Sequence, residues 1–514
     1  MNNPEKKTGV RAYHQAQWDE PILFELNNPA HVGIEVPAPA LGDGCADIPE
    51  GMLRKNAPAL PRIGQARVLR HYLRLSQENL GADLNVEIGQ GTCTMKYSPI
   101  INERLARSEL MTAMHPLQPE KSAQGILEIL YRTKQLLREI SGMDEVSLEP
   151  QSGSQALMTL ASLMRAYHDD AGHPERNELI TTTFSHPSAA ASAIVKGFTI
   201  RTVRARADGY PDFEHLLTLV SDKTAGFICA NPEDSGLYNG DIRRFTELIH
   251  ARGGLCGYDQ ANANGLFGVT RAKEAGFDMC FFNLHKSFST PHGCGGPGTG
   301  AVATTERLAP FLPAPLVQFD GEKYALSQPD ARSIGKVRMF GGASQVALKA
   351  YAWMRALGAE GLYEVARTAV LNNNYLYHEM LAIPGVSVPF DPASQRVEQC
   401  RYSLEGVFNQ TGVTSEAIGL RLADYGFHYW TSHHPFIVPN PATLEPTESP
   451  SKEDIDAYLS ALRCVIDEAH TDPELVKSAP HNCPVHKNIE APLDDPESWA
   501  ITWRAYRRKV ARNG

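Results

Sequence analysis

Short apolar runs alternate with amphipathic stretches through the middle of the chain. Runs rich in β-branched and aromatic residues predict strands at ELITTTF (178–184), FTIRTVRA (198–205), AGFICANP (225–232), GLCGYDQA (254–261) and DMCFFNL (278–284). Helix-like stretches such as RRFTELIHARGG (243–254) separate several of these runs. This alternation predicts an α/β fold, with a mostly parallel sheet covered by helices on both faces.

The same pattern divides the chain into four predicted segments. Residues 1–80 are rich in proline and irregular, which predicts an arm lying on the core or on a partner. Residues 81–345 carry the strand and helix alternation and form the predicted large domain. Two long helical segments and a mixed region follow, which predict a smaller C-terminal α+β domain over 346–490. The polar, basic tail 491–514 is predicted to be a surface extension.

Composition narrows the classes of function. The formal net charge of −10 over 514 residues argues against a general nucleic-acid surface. We expect no membrane partner, because no apolar run is long enough to span a bilayer and the start lacks a signal-peptide core. The nine cysteines are scattered without a CxxC pair, which predicts reduced thiols in a cytoplasmic protein. Ser-His-His at 432–434 lacks a third ligand at a metal-binding spacing, so we expect no metal site.

Polar residues follow the predicted strands at their carboxyl ends, where an α/β sheet binds ligands. One further group, within EPQSGSQ (149–155), precedes a predicted helix. The candidates are Lys286 and His285 after FFNL, Asp259 after CGY, Asn231 after FICA, His186 after TTFS, and Ser152, Gly153 and Ser154.

This set suits the chemistry of pyridoxal phosphate. The aldehyde needs an amine, which Lys286 offers. The ring nitrogen must stay protonated, and at about 4 Å and an effective dielectric of about 20 a carboxylate such as Asp259 contributes roughly 4 kcal/mol, or about three pKa units. The phosphate needs N–H groups at a helix N-terminus, which SGSQ can supply, and the ring needs a flat side chain such as His186.

Each candidate also has a simpler interpretation. A lysine after a strand is usually solvated, Asp259 could cap a helix, and His186 could be a structural histidine. The loop GCGGPGTG (293–300) lacks the GxxxxGK[ST] pattern of a nucleotide-binding loop, so it could be a tight turn that needs positive φ. The five placements together are more informative than any one of them.

Longer motifs carry a family resemblance. NLHKSFSTPHGCGGPG surrounds Lys286, and further motifs follow one another in the family order: GTCTMKYSPIINE (91–103), HPLQPEKSAQG (115–125), ISGMDEVSLEP (140–150), SIGKVR (333–338), LEPTESPSKEDID (444–456) and PELVKSAPHNCPV (473–485). Over about residues 20–490 the chain resembles the glycine dehydrogenase (decarboxylating) family, the P-protein of the glycine cleavage system. Within it, the chain is most similar to subunit 2 of the two-subunit bacterial form.

The resemblance implies a pyridoxal 5'-phosphate enzyme of fold type I. It implies that Lys286 holds the cofactor, that Asp259 pairs with the ring nitrogen and that His186 stacks on the ring. It places Asn231 near the phenolic oxygen, and Ser152, Gly153, Ser154 and His285 near the phosphate. The implied reaction releases CO2 from glycine and passes the aminomethyl group to the lipoyl arm of an H-protein. The implied partner is a homologous subunit 1, with self-association as the alternative.

Several stretches depart from the family pattern. They are ANPEDSGLY (230–238), HPSAAASA (186–193), VEQCRYS (397–403), MFGG (339–342), EPQSGSQ and the Cys294 loop. A divergent paralogue that acts on glycine or another small amino acid with a different acceptor is therefore a second hypothesis. A non-catalytic partner of a sister enzyme is a third, against which the intact Lys286, Asp259 and His186 argue.

Overall fold

The structure is a computed structural model of the chain. It describes residue 10 and residues 13–31, 33, 37–38, 40, 42, 44–56, 58–81, 88, 96–115, 118–292, 296–339, 342–428, 430, 437–484 and 502–513. Cys294, the Ser-His-His stretch at 432–434, the centre of MFGG and residues 491–501 of the tail lie outside these ranges.

The described residues form α-helices and β-strands that alternate through the middle of the chain. The helices are α1 Gln65–Gln77, α2 Ile100–Ala106, α3 Glu109–Thr112, α4 Gln124–Ser141, α5 Gly153–Asp170, α6 Pro187–Val195, α7 Phe213–Leu219, α8 Ile242–Ala251, α9 Ser344–Leu381, α10 Glu405–Thr411, α11 Ser415–Ala423, α12 Lys452–Thr471, α13 Pro473–Lys477 and α14 Trp503–Asn513. The strands are β1 Glu145–Ser147, β2 Glu178–Thr182, β3 Thr199–Val203, β4 Thr224–Ala230, β5 Leu255–Gln260, β6 Met279–Asn283, β7 Gly300–Thr304, β8 Val317–Phe319, β9 Tyr324–Leu326, β10 Cys400–Ser403 and β11 Pro441–Leu444.

Seven strands form one sheet in the order β1-β7-β6-β5-β4-β2-β3. Strands β2 to β6 run parallel, while β7 pairs antiparallel with both β6 and β1. Strand β6 is buried along its whole length, as expected for a strand covered by helices on both faces. The predicted α/β class with a mostly parallel sheet is therefore confirmed.

Two hydrophobic cores lie on either side of the helix α9. The sheet core gathers side chains from β2 to β7 and from helices on both faces of the sheet. The C-terminal core packs α10 to α12 against the two-stranded β10–β11 sheet. Helix α9 contributes Val346 to the first core and Leu376 to the second. The helical path breaks at Gly358, whose φ of 67° is the left-handed conformation that glycine adopts readily, so the two predicted helical segments are confirmed.

The first 80 residues are less irregular than their prolines indicate. Gln65–Gln77 form the helix α1, and the buried carboxylate of Glu20 fixes it by binding His71 at 2.8 Å and Arg74 at 2.8 Å. The prediction of an irregular arm is wrong for this stretch, because the helix begins beyond the last proline of the segment. The tail also differs from a simple extension, since Trp503 of α14 stacks on Phe24 with ring centroids 5.1 Å apart.

None of the helices in the part of the chain that the structure describes is both long enough and apolar enough to cross a membrane.

Candidate active site

The parallel strands bring the predicted site residues to one edge of the sheet. Ala230, the last residue of β4, pairs with Asp259 on β5, and Asp259 pairs with Phe281 on β6. Because the three strands run in the same direction, Asn231, Asp259 and the residues after Asn283 emerge at neighbouring points. The sequence argument that collected these residues from separate strands agrees with this geometry.

Lys286 lies in the turn that follows β6, with a half-buried side chain. Its backbone N–H donates to the carbonyl oxygen of Asn283 at 3.0 Å, which tightens the turn. Four residues further on, Thr290 Oγ1 donates to the carbonyl oxygen of Leu284 at 2.8 Å, after the chain passes Ser289 with a φ of 58°. The turn that carries the lysine is thus fixed at both ends by short hydrogen bonds.

A buried polar network supports this turn from the C-terminal core. Ser287 Oγ accepts from the Ala263 N–H at 2.7 Å and donates to Asn262 Oδ1 at 3.3 Å. Both Asn262 and Asn264 donate to the carboxylate of Glu445. The network links the residue after Lys286 to the end of β11, so the position of the lysine depends on both cores.

Asp259 lies on β5, next to the strand β6 that leads into the Lys286 turn. Its carboxylate accepts from the Ala261 N–H at 3.0 Å. Burial raises the pKa of Asp259 to about 6, against the opposing effects of the Ala261 hydrogen bond and the positive charge of Lys286, while the negative charge of Asp234 adds to the increase. A further cation at this point would favour the ionised carboxylate, because it would repay the cost of burying the charge.

His186 begins the helix α6 as its N-cap residue. The ring Nδ1 accepts from the Ser188 N–H at 3.1 Å and lies 2.6 Å from Ser188 Oγ. This contact directs the hydrogen of a neutral ring to Nε2 and fixes the ring orientation at the mouth of the site. Pro187 at the first helical position suits this cap, because proline costs no hydrogen bond there.

The N-terminus of the 18-residue helix α5 closes another side of the site. Ser152 caps it by accepting from the Gln155 N–H at 3.1 Å, while Ser154 is exposed. A Cβ on Gly153 would lie 2.7 Å from the side-chain nitrogen of Asn283, so only glycine fits here. Asn283 is buried, and its Oδ1 has no hydrogen-bond partner among the described residues. The N–H groups at the N-terminus of this helix suit an anion.

His285 is buried behind this helix N-terminus. Its Nδ1 lies 3.2 Å from the backbone nitrogen and 3.3 Å from the carbonyl oxygen of Thr299. The pKa of His285 is lowered to about 4. Burial is the largest cause, and the charges of Lys286 and His292 add to the decrease. The ring is therefore neutral near pH 7.

Asn231 has a different local use from the one that the resemblance implies. Its side-chain oxygen accepts from the Asn239 N–H at 2.7 Å, and its side-chain nitrogen donates to the Asn239 carbonyl oxygen at 3.1 Å. These bonds close the loop 231–239 on itself. The second hydrogen of the amide nitrogen is what remains for a ligand.

Sequence reasoning missed three further residues of this edge. Asn283 carried no motif of its own, although it directly precedes the Leu-His-Lys motif. Glu233 and Asp234 were noted only as departures from a family stretch. Burial raises the pKa of Glu233 to about 8, with a smaller increase from Asp234 and an opposing hydrogen bond from Thr182. Two acidic residues directly after an apolar strand were the sequence feature that could have identified Glu233 and Asp234.

One group of possible metal ligands occurs among the described residues, and it lies at the opposite ends of the strands. Asp278 precedes β6 and binds His250 at 2.8 Å, the Cys256 N–H at 2.7 Å and Arg307 at 2.5 Å. The arginine already balances the carboxylate, so this arrangement is explained as a buried ion pair.

Family models match most of the chain. The description "Glycine cleavage system P-protein" matches residues 40–324, and "Glycine dehydrogenase, C-terminal domain" matches residues 365–484. A probable glycine dehydrogenase (decarboxylating) subunit 2 from Pyrococcus furiosus is 40% identical over 497 residues, covering 96% of this chain and 98% of the relative. The protein with the same description from Nitrosospira multiformis is 37% identical and covers 91% of this chain and 93% of the relative.

Solved structures agree on the fold. A crystal structure of glycine decarboxylase (P-protein) of the glycine cleavage system, in inhibitor-bound form, has a TM-score of 0.71 at 23% identity, covering 82% of this chain and 94% of that chain. A sphingosine-1-phosphate lyase from Burkholderia pseudomallei has a TM-score of 0.57 at 14% identity, covering 84% and 96%. The fold is thus fold type I of the pyridoxal-phosphate-dependent enzymes, as the sequence predicted.

Proposed function

The chain belongs to the glycine dehydrogenase (decarboxylating) family, the P-proteins of the glycine cleavage system, and from this premise we propose the roles of its site residues. Family membership supports a glycine cleavage P-protein function. In our proposal the strand-end site holds pyridoxal 5'-phosphate, takes glycine and releases its carboxylate as CO2. The aminomethyl group then passes to the lipoyl arm of an H-protein.

The residues at the strand ends fit this cofactor. The N-terminus of α5 provides an anion-binding edge, where Ser152 caps the helix. Gly153 makes room for the side chain of Asn283 beside this helix end. His285 lies next to it in the chain region that precedes Lys286. Asp259 supplies a carboxylate that is costly to keep ionised without a cation, and a protonated ring nitrogen is such a cation. When bound, the cofactor supplies an electron sink for the pair left by the departing carboxylate.

Each residue then has a defined task. Lys286 would hold the cofactor through its amine. Asp259 would keep the ring nitrogen protonated by charge. His186 would supply a flat side chain for the ring, with Ser188 fixing the imidazole. Ser152, Gly153, Ser154 and His285 would hold the phosphate, and the second amide hydrogen of Asn231 would be available to the phenolic oxygen.

The observation that carries this proposal is the Asp259 and Lys286 pair. Two neighbouring parallel strands present an acid and an amine at the same edge. Burial raises the pKa of Asp259, and the positive charge of Lys286 opposes that increase. A solvated strand-end lysine would have no such partner. Active sites are where buried titratable groups of opposite sign are brought together.

Association with a homologous subunit 1, or with a second copy, is part of the proposal. Helix α1 exposes Leu69, Tyr72 and Leu73, and the α2–α3 region exposes Ile100 and Leu110. Large apolar side chains in one region favour a protein partner over water. Sedimentation at micromolar concentration tests this, and a compact monomer with full cofactor content would contradict it.

The decisive experiment measures binding before transfer. Purified holoenzyme receives glycine, alanine or serine, and the absorbance of the bound cofactor is followed. Labelled bicarbonate exchange into glycine is then measured with and without lipoyl H-protein and subunit 1. Glycine-specific spectral change with exchange supports the proposal, while a cofactor-loaded protein that responds to no small amino acid contradicts it and favours a non-catalytic partner.

A divergent acceptor is the second candidate. It is favoured by one observation, the contact between the departing stretches 230–238 and 397–403 that is described below. Spectral response to glycine without transfer to a lipoyl H-protein, even with subunit 1 present, would support it over the first candidate.

A further inference from the structure

Two stretches that depart from the family pattern contact each other beyond the end of β4. The loop 231–239 follows β4 in the sheet core, and residues 397–403 contain β10 of the C-terminal core. The Val397 N–H donates to the Gly236 carbonyl oxygen at 2.9 Å. A Cβ on Gly236, which has a φ of 80°, would overlap the carbonyl oxygen of Gln399. The two departures are therefore one connected feature of the structure.

A buried ion pair joins the same stretches. Arg401 Nη2 binds Asp234 Oδ2 at 2.8 Å, and Arg401 Nε donates to Thr443 Oγ1 at 3.2 Å. The arginine side chain is 0% exposed, whereas that of Asp234 is 16% exposed. Arg401 Nη1 is buried and has no hydrogen-bond partner among the described residues. A fully desolvated cation with a single carboxylate depends strongly on that partner.

Asp234 also acts on the catalytic edge. It lies four residues beyond Ala230, the last residue of β4, which pairs directly with Asp259 on β5. After the larger effect of burial, its negative charge also contributes to the raised pKa of Asp259. The other groups that act on Asp259 are the cation of Lys286 and the N–H of Ala261, and the thiol of Cys229 on β4 lies within reach of its charge. Asp234 thus lies at the strand-end edge, and among the described residues its ion pair is with Arg401 of the C-terminal core.

We propose that Arg401 is a positioning residue that neutralises Asp234, and that this interdomain charge pair sets how readily the site admits the carboxylate of an amino acid. The inference deepens the proposed function and rests on it. With Arg401 in place, the carboxylate of glycine meets a balanced pair. Without it, the unpaired Asp234 repels the substrate carboxylate and disfavours the ionised form of Asp259.

The charge pair and a purely mechanical latch make different predictions. Arg401→Gln leaves a negative charge unpaired, while Asp234→Asn leaves a positive charge unpaired. A latch would weaken glycine binding in both variants, because both break the same contact. A charge pair moves the two variants in opposite directions.

The experiment titrates each holoenzyme variant with glycine and with base, following the absorbance of the bound cofactor. We expect Arg401→Gln to raise the Kd of glycine about tenfold and to shift the pH midpoint of the spectrum upward by about one unit. Asp234→Asn should shift both quantities the other way. The double variant Asp234→Asn with Arg401→Gln should return both towards the wild-type values.

Two controls separate charge from folding. Arg401→Lys keeps the positive charge and should behave much like the wild type. Arg421→Gln removes another buried arginine of the C-terminal core, which pairs with Asp424 and Glu468. That variant should melt at a lower temperature and keep the glycine Kd and the spectral midpoint.

Three results would overturn the inference. The first is a shift of the glycine Kd and the spectral midpoint in the same direction for both single variants. The second is an Arg401→Lys variant that matches Arg401→Gln. The third is an Arg421→Gln variant that reproduces the shifts of Arg401→Gln. A wild-type holoenzyme that gives no response to glycine would overturn the proposed function itself and this inference with it. A wild-type response with unshifted variants would overturn the inference alone.

Discussion

Two buried acids end neighbouring strands of the sheet, and they differ in what surrounds them. Asp259 on β5 faces the cation of Lys286, and its pKa is about 6. Glu233, just beyond β4, lies near Thr182 and the negative charge of Asp234, and burial raises its pKa to about 8. Glu233 Oε1 is buried without a hydrogen-bond partner among the described residues. Burial is the largest cause in both, so the different neighbours separate the two acids.

The two acids differ in their charge near neutral pH. Near pH 7 Asp259 is mostly ionised and ready to hold a protonated ring nitrogen, whereas Glu233 is mostly protonated and acts as a neutral group. Substitutions of the two acids and of the residues around them test this contrast. The expected effects decrease from the Lys286 side of the site to the Glu233 side.

Removing Lys286 should have the largest effect. Lys286→Ala deletes the amine that bonds to the aldehyde, so turnover should fall by about a thousandfold or more. Borohydride reduction and peptide mapping of the wild type should place the cofactor on Lys286. The control is Lys273→Ala, which breaks a surface pair with Asp144 and should leave turnover unchanged. Label on any other lysine would end the assignment.

Asp259→Asn should retain the cofactor and lose about a hundredfold or more in turnover. The amide has nearly the same shape but cannot hold the ring nitrogen protonated by charge, so the electron sink weakens. Cofactor content by absorbance and kcat for bicarbonate exchange check this. Glu233→Gln is the matched control, because it makes the same kind of change at the neighbouring acid. Equal losses in both variants would contradict the contrast between them.

His186→Ala should slow turnover about tenfold and weaken cofactor binding, because the ring loses the flat group that orients it. Equilibrium dialysis against free cofactor measures the affinity, and glycine exchange measures the rate. His173→Ala, in an exposed turn after α5, supplies the control. If affinity and rate both stay at the wild-type level, His186 serves only as the cap of α6.

Glu233→Gln should have the smallest effect on activity and a distinct effect on stability. The folded-state pKa of about 8 exceeds the ordinary value of 4.5, so the folded protein holds this proton more tightly than the unfolded chain does. The stability that the proton provides is fully present below about pH 4.5 and is lost as the pH rises through about 8.

Melting temperatures measured from about pH 5 to about pH 9 check this linkage, because the titration of Glu233 falls within that range. The wild type should lose stability across the range, and Glu233→Gln should lose less. The same slope in both proteins would show that Glu233 does not titrate there.

The fold and most of the catalytic edge could be predicted from local pattern. Buried parallel strands read as continuous apolar runs, and their order of appearance fixes where their carboxyl ends meet, so Asp259, Lys286 and His285 could be collected without coordinates. The antiparallel strand β7 was harder, because Gly300–Thr304 is short and follows a loop dense in glycine. Helix α1 was missed because the prolines before it dominated the pattern.

The sequence by itself determined which residue types stand at the strand ends, since periodicity and motif spacing are local properties. The tertiary structure decided their surroundings. Asn231 closes its own loop, Asn283 packs on Gly153, and Arg401 reaches Asp234 across 167 positions of the chain. Burial and distance to the nearest charge set the charge state of an acid, and both depend on how separate segments pack together, which no local pattern records.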